Sequence, residues 1–283
     1  MKKVLIVIGI VILVLAIAAG SLYAIYVRPL MAFFNQTKEV QVDKDLTLVI
    51  GGGGNSGIFN SDNLVIIVDP KMGEEIQKAF YEKVKAIAGN KPVLVVNTHI
   101  HGDHSSGNHL YKGQQIIAGG NYTQEQWIDE AKEENLPTIW LKKDTTIITS
   151  NDTISIFGLN RNIHTASDVF VYSRKHKLLF GGDVILDKQN PAIMGVADPD
   201  GYLYAFDELP KRYEIKTIVP GHGEVGGIEV LETFRQYFLD MKEAISNPSK
   251  KDELVAKYKD WRNLPFMMSP DATISALKKK ENK

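Results

Sequence analysis

This sequence predicts a layered α/β fold, and three observations carry that expectation. Short apolar runs of strand character recur along it, apolar stripes at helical spacing lie between them, and the two alternate over two successive halves. At 283 residues, 44% hydrophobic and 24% charged, the chain has the composition of a globular protein and can bury one large core with a small appendage.

The first element stands apart from that pattern. Lys2 and Lys3 precede an uncharged stretch of 24 residues, Val4 to Val27, closed by Arg28 and Pro29. At 1.5 Å per residue it is long enough for a bilayer core of about 30 Å. Residues 1–28 are therefore expected to be a transmembrane anchor or a signal peptide, with the lysines cytoplasmic and the remainder exported. Ala16-Ile17-Ala18 offers a small-residue cleavage site, while the apolar run continues past it through Leu22, Tyr23, Ile25 and Tyr26, which favours a retained anchor. Residues 29–41 read as a linker.

From there LTLVI (46–50) and NLVIIVD (63–69) read as strands joined through GGGGNSG, a flexible hairpin. Ile76, Ala79, Phe80, Val84 and Ile87 form a helical stripe, PVLVVNT (92–98) is a buried strand, and Gln115 to Ala118 is another. A polar helix is expected over 123–135, then strands at 145–149, 153–159, 168–172 and 178–181. A helix near 200–209, a strand at 216–220 and a long helix bearing Ile228, Leu231, Phe234, Phe238, Met241 and Ile245 follow. Residues 42–227 are expected to form the catalytic domain, with 228–283 as C-terminal helices packed on it.

Composition excludes several classes. The 33 basic and 34 acidic residues leave no broad basic face for nucleic acid. The absence of cysteine removes disulfides, thiolate metal sites, a cysteine nucleophile and a lipidated cysteine anchor. GGGGNSG is followed by no Lys-Ser/Thr pair, so it lacks the parts of a phosphate-binding loop.

The chemistry concentrates in THIHGDHSSGN (98–108), where three of the seven histidines crowd beside Asp103. In extended chain, residues two apart point the same way, so His99 and His101 can leave the strand end on one side and chelate one metal, while Gly102 permits a turn that aims Asp103 and His104 at a neighbouring position. Imidazole and carboxylate donors suit zinc, and also iron or manganese. His164 in NIHTASD, Asp183 in LFGGDV and His222 in VPGHGEV also lie just beyond apolar runs, beside small residues. His109, His176 and the tryptophans read as structural or solvated, and Tyr202 and Phe206 as core packing.

HxHxDH, a distant histidine, GGD and PGHG, in that order over residues 46–225, resemble the metallo-β-lactamase superfamily. The resemblance implies an αββα four-layer sandwich with a two-metal site on its rim. His99, His101 and His164 would hold one ion, Asp103, His104 and His222 the other, and Asp183 would bridge them. Two zinc ions would supply hydroxide at neutral pH to attack an acyl carbon of a small molecule, with Asp103 orienting it. The expected substrate is an ester, lactone, thioester or β-lactam-like amide. The competing expectations are a mononuclear-iron enzyme similar to persulfide dioxygenases, on His99, His164 and Asp183, and a non-catalytic metal-binding protein.

The departures from the family's branches are specific. Class B β-lactamases often carry cysteine where Asp183 stands, and a lysine where Leu186 stands, so the partner for an antibiotic carboxylate is missing. The quorum-quenching lactonases carry tyrosine at that second position and HTPGH in place of HTASD. Too little chain follows Gly227 for the glutathione-binding domain of the hydroxyacylglutathione hydrolases.

Overall fold

The computed structural model describes residues 2–28, 35–263 and 267–281. Two sheets form the centre. The first has seven strands in the order β1 to β7: Thr37–Asp43, Leu46–Gly51, Ser56–Asn60, Val65–Val68, Val93–Val96, Gln115–Gly119 and Ile139–Leu141. β1 to β4 pair antiparallel and β4 to β7 parallel. The second sheet has the order β12-β11-β10-β9-β8, built from Thr145–Ile148 (β8), Thr153–Phe157 (β9), Phe170–Ser173 (β10), Leu178–Gly182 (β11) and Thr217–Pro220 (β12).

Period-two alternation decides the layers. Leu46, Leu48 and Ile50 of β2 face inward against Ile154, Ile156, Val171 and Phe180 of the second sheet, closing the inter-sheet core. Val49 of β2, with Ile58, Val65, Ile67 and Val95, faces outward onto Phe80, Val84 and Ala88 of α2 (Glu74–Ala88). On the far side Phe157, Phe170, Leu179 and Ile218 pack against α5 (Pro199–Arg212) and α6 (Ile228–Ser246). The result is the expected αββα sandwich. Strands such as β4, covered on both faces, are buried at every position.

Several expectations need correction. GGGGNSG does not join the 46–50 and 63–69 strands: its last two residues begin β3, so its loop closes a hairpin between β2 and β3, and β3 stands between β2 and β4. Gly57 is required there: a Cβ would meet the Phe180 ring at 2.2 Å. Of the expected linker, residues 29–34 lie outside the described residues, while Thr37–Gln41 form most of β1, paired with β2. β7 was not foreseen, and the 123–135 helix is α4 (Gln124–Ala131), broken at Lys132 (φ 70°) before a 3-10 turn. The C-terminal α7 (Lys251–Ala256) and α8 (Pro270–Glu281) bring Leu254, Ile274 and Leu277 into the core around Tyr237 and Phe238.

At the end of the sandwich away from Asp183, His176 ties the two sheets. Its Nε2 lies 3.0 Å from Asp43 of β1, and its Nδ1 3.5 Å from Asp152 in the β8–β9 turn. The hydrogen bond to Asp152 raises its pKa against the opposing effect of burial, and Asp43 adds to the rise. A folded pKa above the unfolded value means that the stabilisation is present below the unfolded value near 6.5 and fades as pH rises through the folded one. His176→Gln is therefore expected to lower the urea midpoint more at about pH 6 than at about pH 9, and an equal loss at both would refute the linkage.

Candidate metal centre

All seven sequence-selected residues converge at one rim of the sandwich. β5 delivers His99 and His101 beyond its end, and the single turn α3 (Gly102–Ser105) delivers Asp103 and His104. His164 sits in the HTASD loop before β10, Asp183 follows β11, and His222 follows β12. Their donor atoms form two sets, His99–His101–His164 and Asp103–His104–Asp183–His222, each with all atoms within 4.8 Å of one another. Asp183 touches both: Oδ2 is 3.6 Å from His164 Nε2, and Oδ1 is 3.1 Å from His104 Nε2 and 3.3 Å from His222 Nε2.

The donor atoms fit a cation better than they fit one another. His164 Nε2 and His101 Nδ1 stand 2.9 Å apart, and His104 Nε2 and His222 Nε2 stand 3.5 Å apart. His99 Nε2 is buried without a hydrogen-bond partner, and Asp183 Oδ1 faces the ring nitrogens of His104 and His222, an arrangement that an ion would complete.

Each buried histidine is aimed from behind. His104 Nδ1 donates to Asp69 Oδ2 at 2.8 Å, His222 Nδ1 to the Gly53 carbonyl at 3.1 Å, and His164 Nδ1 pairs with the Tyr202 hydroxyl at 2.8 Å. His99 Nδ1 meets Thr98 Oγ1 at 3.1 Å, and that hydroxyl donates to Asp69 at 2.7 Å. These contacts select the tautomers that turn the opposite nitrogens of His104, His164 and His222 into the cluster. Sequence reading missed Asp69 as a site residue, although it ends the NLVIIVD strand beside PVLVVNT. Tyr202, expected in the core, is fully buried there and also reaches the site.

The hairpin loop in GGGGNSG is tied down by hydrogen bonds. Lys71 Nζ, fully buried, donates to the carbonyls of Val49, Gly51 and Gly54 at 2.6–2.7 Å. Burial draws Lys71 down to about 7 against the charge of Asp69, but three acceptors match the three donors of an ammonium group. Asn55 ties the loop to Pro220 and Gly223, beside His222. Gly54 lies so close under the histidines that a Cβ would sit 2.3 Å from His104 Cε1.

The electrostatics divide the two sets. Burial, reinforced by His104, holds His99 well below the usual imidazole range, and burial outweighs Asp183 to bring His164 to about 3. In the second set burial is overcome. Asp103, Asp183 and Asp69 hold His104 well above its ordinary value, and Asp183 and Asp103 raise His222 to about 9. Burial would raise Asp103, yet His104 and His222 bring it to about 2, and the same two imidazoles hold Asp183 far down. Without metal, protons on His104 and His222 thus balance the carboxylates.

Two predictions follow from this geometry. Gly54→Ala should push the His104 ring aside and weaken divalent-metal binding by roughly 10–100-fold while leaving the circular dichroism spectrum unchanged; undiminished affinity on chelator titration would show that the loop does not shape the site. A cation entering the Asp103–His104–Asp183–His222 set must displace protons, so its affinity there should rise roughly tenfold per pH unit, for each proton released, between about pH 7 and 9. The His99–His101–His164 set, with His99 and His164 already neutral, should vary little over that range, and equal slopes for both ions would contradict the division.

The family described as the metallo-beta-lactamase superfamily matches residues 49–125, the stretch that carries HxHxDH. An acyl-coenzyme A thioesterase, MBLAC2 of Gallus gallus, is 24% identical over 169 residues, covering 51% of this chain and 61% of that protein. A metallo-beta-lactamase type 2 of Bacteroides fragilis is 26% identical over 167 residues, covering 56% and 64%. The chain thus spans a little under two thirds of the length of these two relatives. Among solved structures, a metallo-beta-lactamase from Pontibacter korlensis superposes with a TM-score of 0.62 at 22% identity, over 72% of this chain and 99% of that one. A double mutant of the sec-alkyl sulfatase PisA1 reaches 0.67 at 14% identity, over 87% of this chain and 50% of that one. The match to the histidine motif, these relatives and the shared sandwich all point the same way: the chain is similar to the metallo-β-lactamase superfamily in motif and in fold.

Proposed function

We propose that the protein is a membrane-anchored or exported dizinc hydrolase that cleaves an acyl bond of a small molecule. The observation that carries this reading is the position of Asp183 between two complete donor sets on the floor of an open pocket of about 540 Å³, a size typical of small-molecule sites. A bound metal pair would supply a water with its pKa lowered to about 7 and a Lewis acid for the acyl oxygen. His99, His101 and His164 would hold one ion and Asp103, His104 and His222 the other, with Asp183 shared.

The protein's own groups do the rest. Asp103, one of the three members of the cluster that are not fully buried, faces the pocket. Held ionised by His104 and His222, it accepts a hydrogen bond from the attacking water and so orients it. Tyr202 and Asp69 keep the imidazoles aligned. The relatives named as a thioesterase and as β-lactamases support an acyl substrate, while Leu186 lines the pocket where a carboxylate-binding lysine would be needed for an antibiotic. Residues 42–227 would be the catalytic domain, with the C-terminal helices closing the core. The helix over Gly9–Val27, of mean hydropathy 2.5, supports an anchor whose lysines stay cytoplasmic.

Elemental mass spectrometry on the full chain should find about two zinc ions per chain. Asp103→Ala should lower acyl turnover on the order of a hundredfold or more without unfolding the protein. One iron per chain with thiol-dependent oxygen uptake, or undiminished turnover in the variant, would overturn the reading.

A further inference from the structure

The pocket above the histidines is polar on its floor, and its walls carry a methionine-rich apolar side beside the polar Glu130, Gln189, Arg262 and Asn263. His101, Asp103, His164, Asp183 and His222 lie at the bottom, and Met72, Leu186, Ala192, Met194, Met267 and Met268 line the sides. Met194 and Met267 are each 51% exposed, and neighbouring Val196 is 55% exposed. Side chains of this kind on a rim are unfavourable in water unless something apolar covers them, and methionine adapts its shape to flexible apolar partners. Ile25 and Tyr26 belong to the same lining. They are also in the last turn of the Gly9–Val27 segment, whose length and hydropathy suit a bilayer. A tyrosine at the end of such a span favours headgroup level, so with this segment in a bilayer the pocket mouth would open at the membrane surface.

We infer that the pocket takes the hydrocarbon tail of a long-chain acyl ester or thioester drawn from the membrane surface. This rests on the acyl-hydrolase reading above and names its substrate class. The tail lies along the methionine wall, one end still near the bilayer, and the carbonyl reaches Asp103 and the histidines. Water then adds its oxygen to the acyl carbon, the C–O or C–S bond breaks, and the alcohol or thiol leaves with a proton from that water. The remaining product is a fatty acid, so alkanoates probe the site without any turnover. Leu186 contributes wall instead of charge, which is what an uncharged tail requires.

The test uses the full chain in phosphatidylcholine nanodiscs, titrated with butanoate, octanoate and dodecanoate against protein-free nanodiscs. A fully buried methylene is worth about fourfold in affinity, so in this half-open pocket octanoate should bind at least about tenfold tighter than butanoate. The double variant Met194→Gln, Met267→Gln should flatten that rise. Because the chain has no cysteine, a spin label on Val196→Cys reports its surroundings alone and should be shielded from a water-soluble relaxant when the protein is in bilayers. Chain-length-independent binding, a rise unaltered in the double variant, or a fully water-accessible label would each overturn the inference. Length-dependent binding without turnover of any acyl ester would instead sink the hydrolase reading and leave the tail site standing, while turnover with flat binding would do the reverse.

Discussion

The site depends on the buried carboxylate of Asp69. One oxygen accepts from the Thr98 amide at 2.7 Å, and the other receives the Thr98 hydroxyl at 2.7 Å and His104 Nδ1 at 2.8 Å. Asp69 stands at the end of β4 with φ 54°, while its amide donates to Val96 and its carbonyl accepts from Ser56 Oγ. A single side chain thereby couples three neighbouring strands to the orientation of two histidines in different halves of the cluster. Buried polar networks of this kind are worth having only when every member is satisfied. Beside this network the unsatisfied Nε2 of His99 lies where a cation would complete it.

Other buried polar groups hold the loops that meet at the rim. Lys71 threads beneath the glycine run and removes the freedom those glycines would otherwise have, at a site where backbone must pass within contact of an imidazole. Asp168 does the same for the HTASD loop. Burial raises its carboxyl to about 6, yet it accepts hydrogen bonds from the amides of His164 and Thr165 and from the Thr165 hydroxyl. Gly221 has a comparable duty beside Asp183, since a Cβ there would sit 2.0 Å from its Oδ1. Rigid loops on the ends of parallel strands give the precision that a multi-ligand centre needs.

The position of the apolar N-terminal helix connects the architecture to the chemistry. Its final turn shares a wall with the pocket, which is the arrangement that the proposed membrane-derived acyl substrate requires. The methionines on that wall contribute apolar contact without a fixed shape, whereas the floor is preorganised by hydrogen bonds a layer behind it.

Local pattern made most of the layers legible in the sequence. Two-residue alternation in LTLVI, the three- and four-residue steps of Phe80, Val84 and Ile87, and the long stripe from Ile228 to Ile245 each describe one face of one element, and burial acts on each face separately. The seven clustered residues were legible too, because histidine and aspartate beyond strand ends have few local reasons to be there. β3 and β7 were hidden by glycine and by brevity, and the start of β1 by its polar residues, since only pairing with neighbouring strands makes those segments extended. The tertiary structure alone decided the work of Asp69, Lys71, Tyr202 and Gly54. Their partners lie too far along the chain for spacing to reveal, and what makes each of them necessary is a contact formed only when the two sheets close.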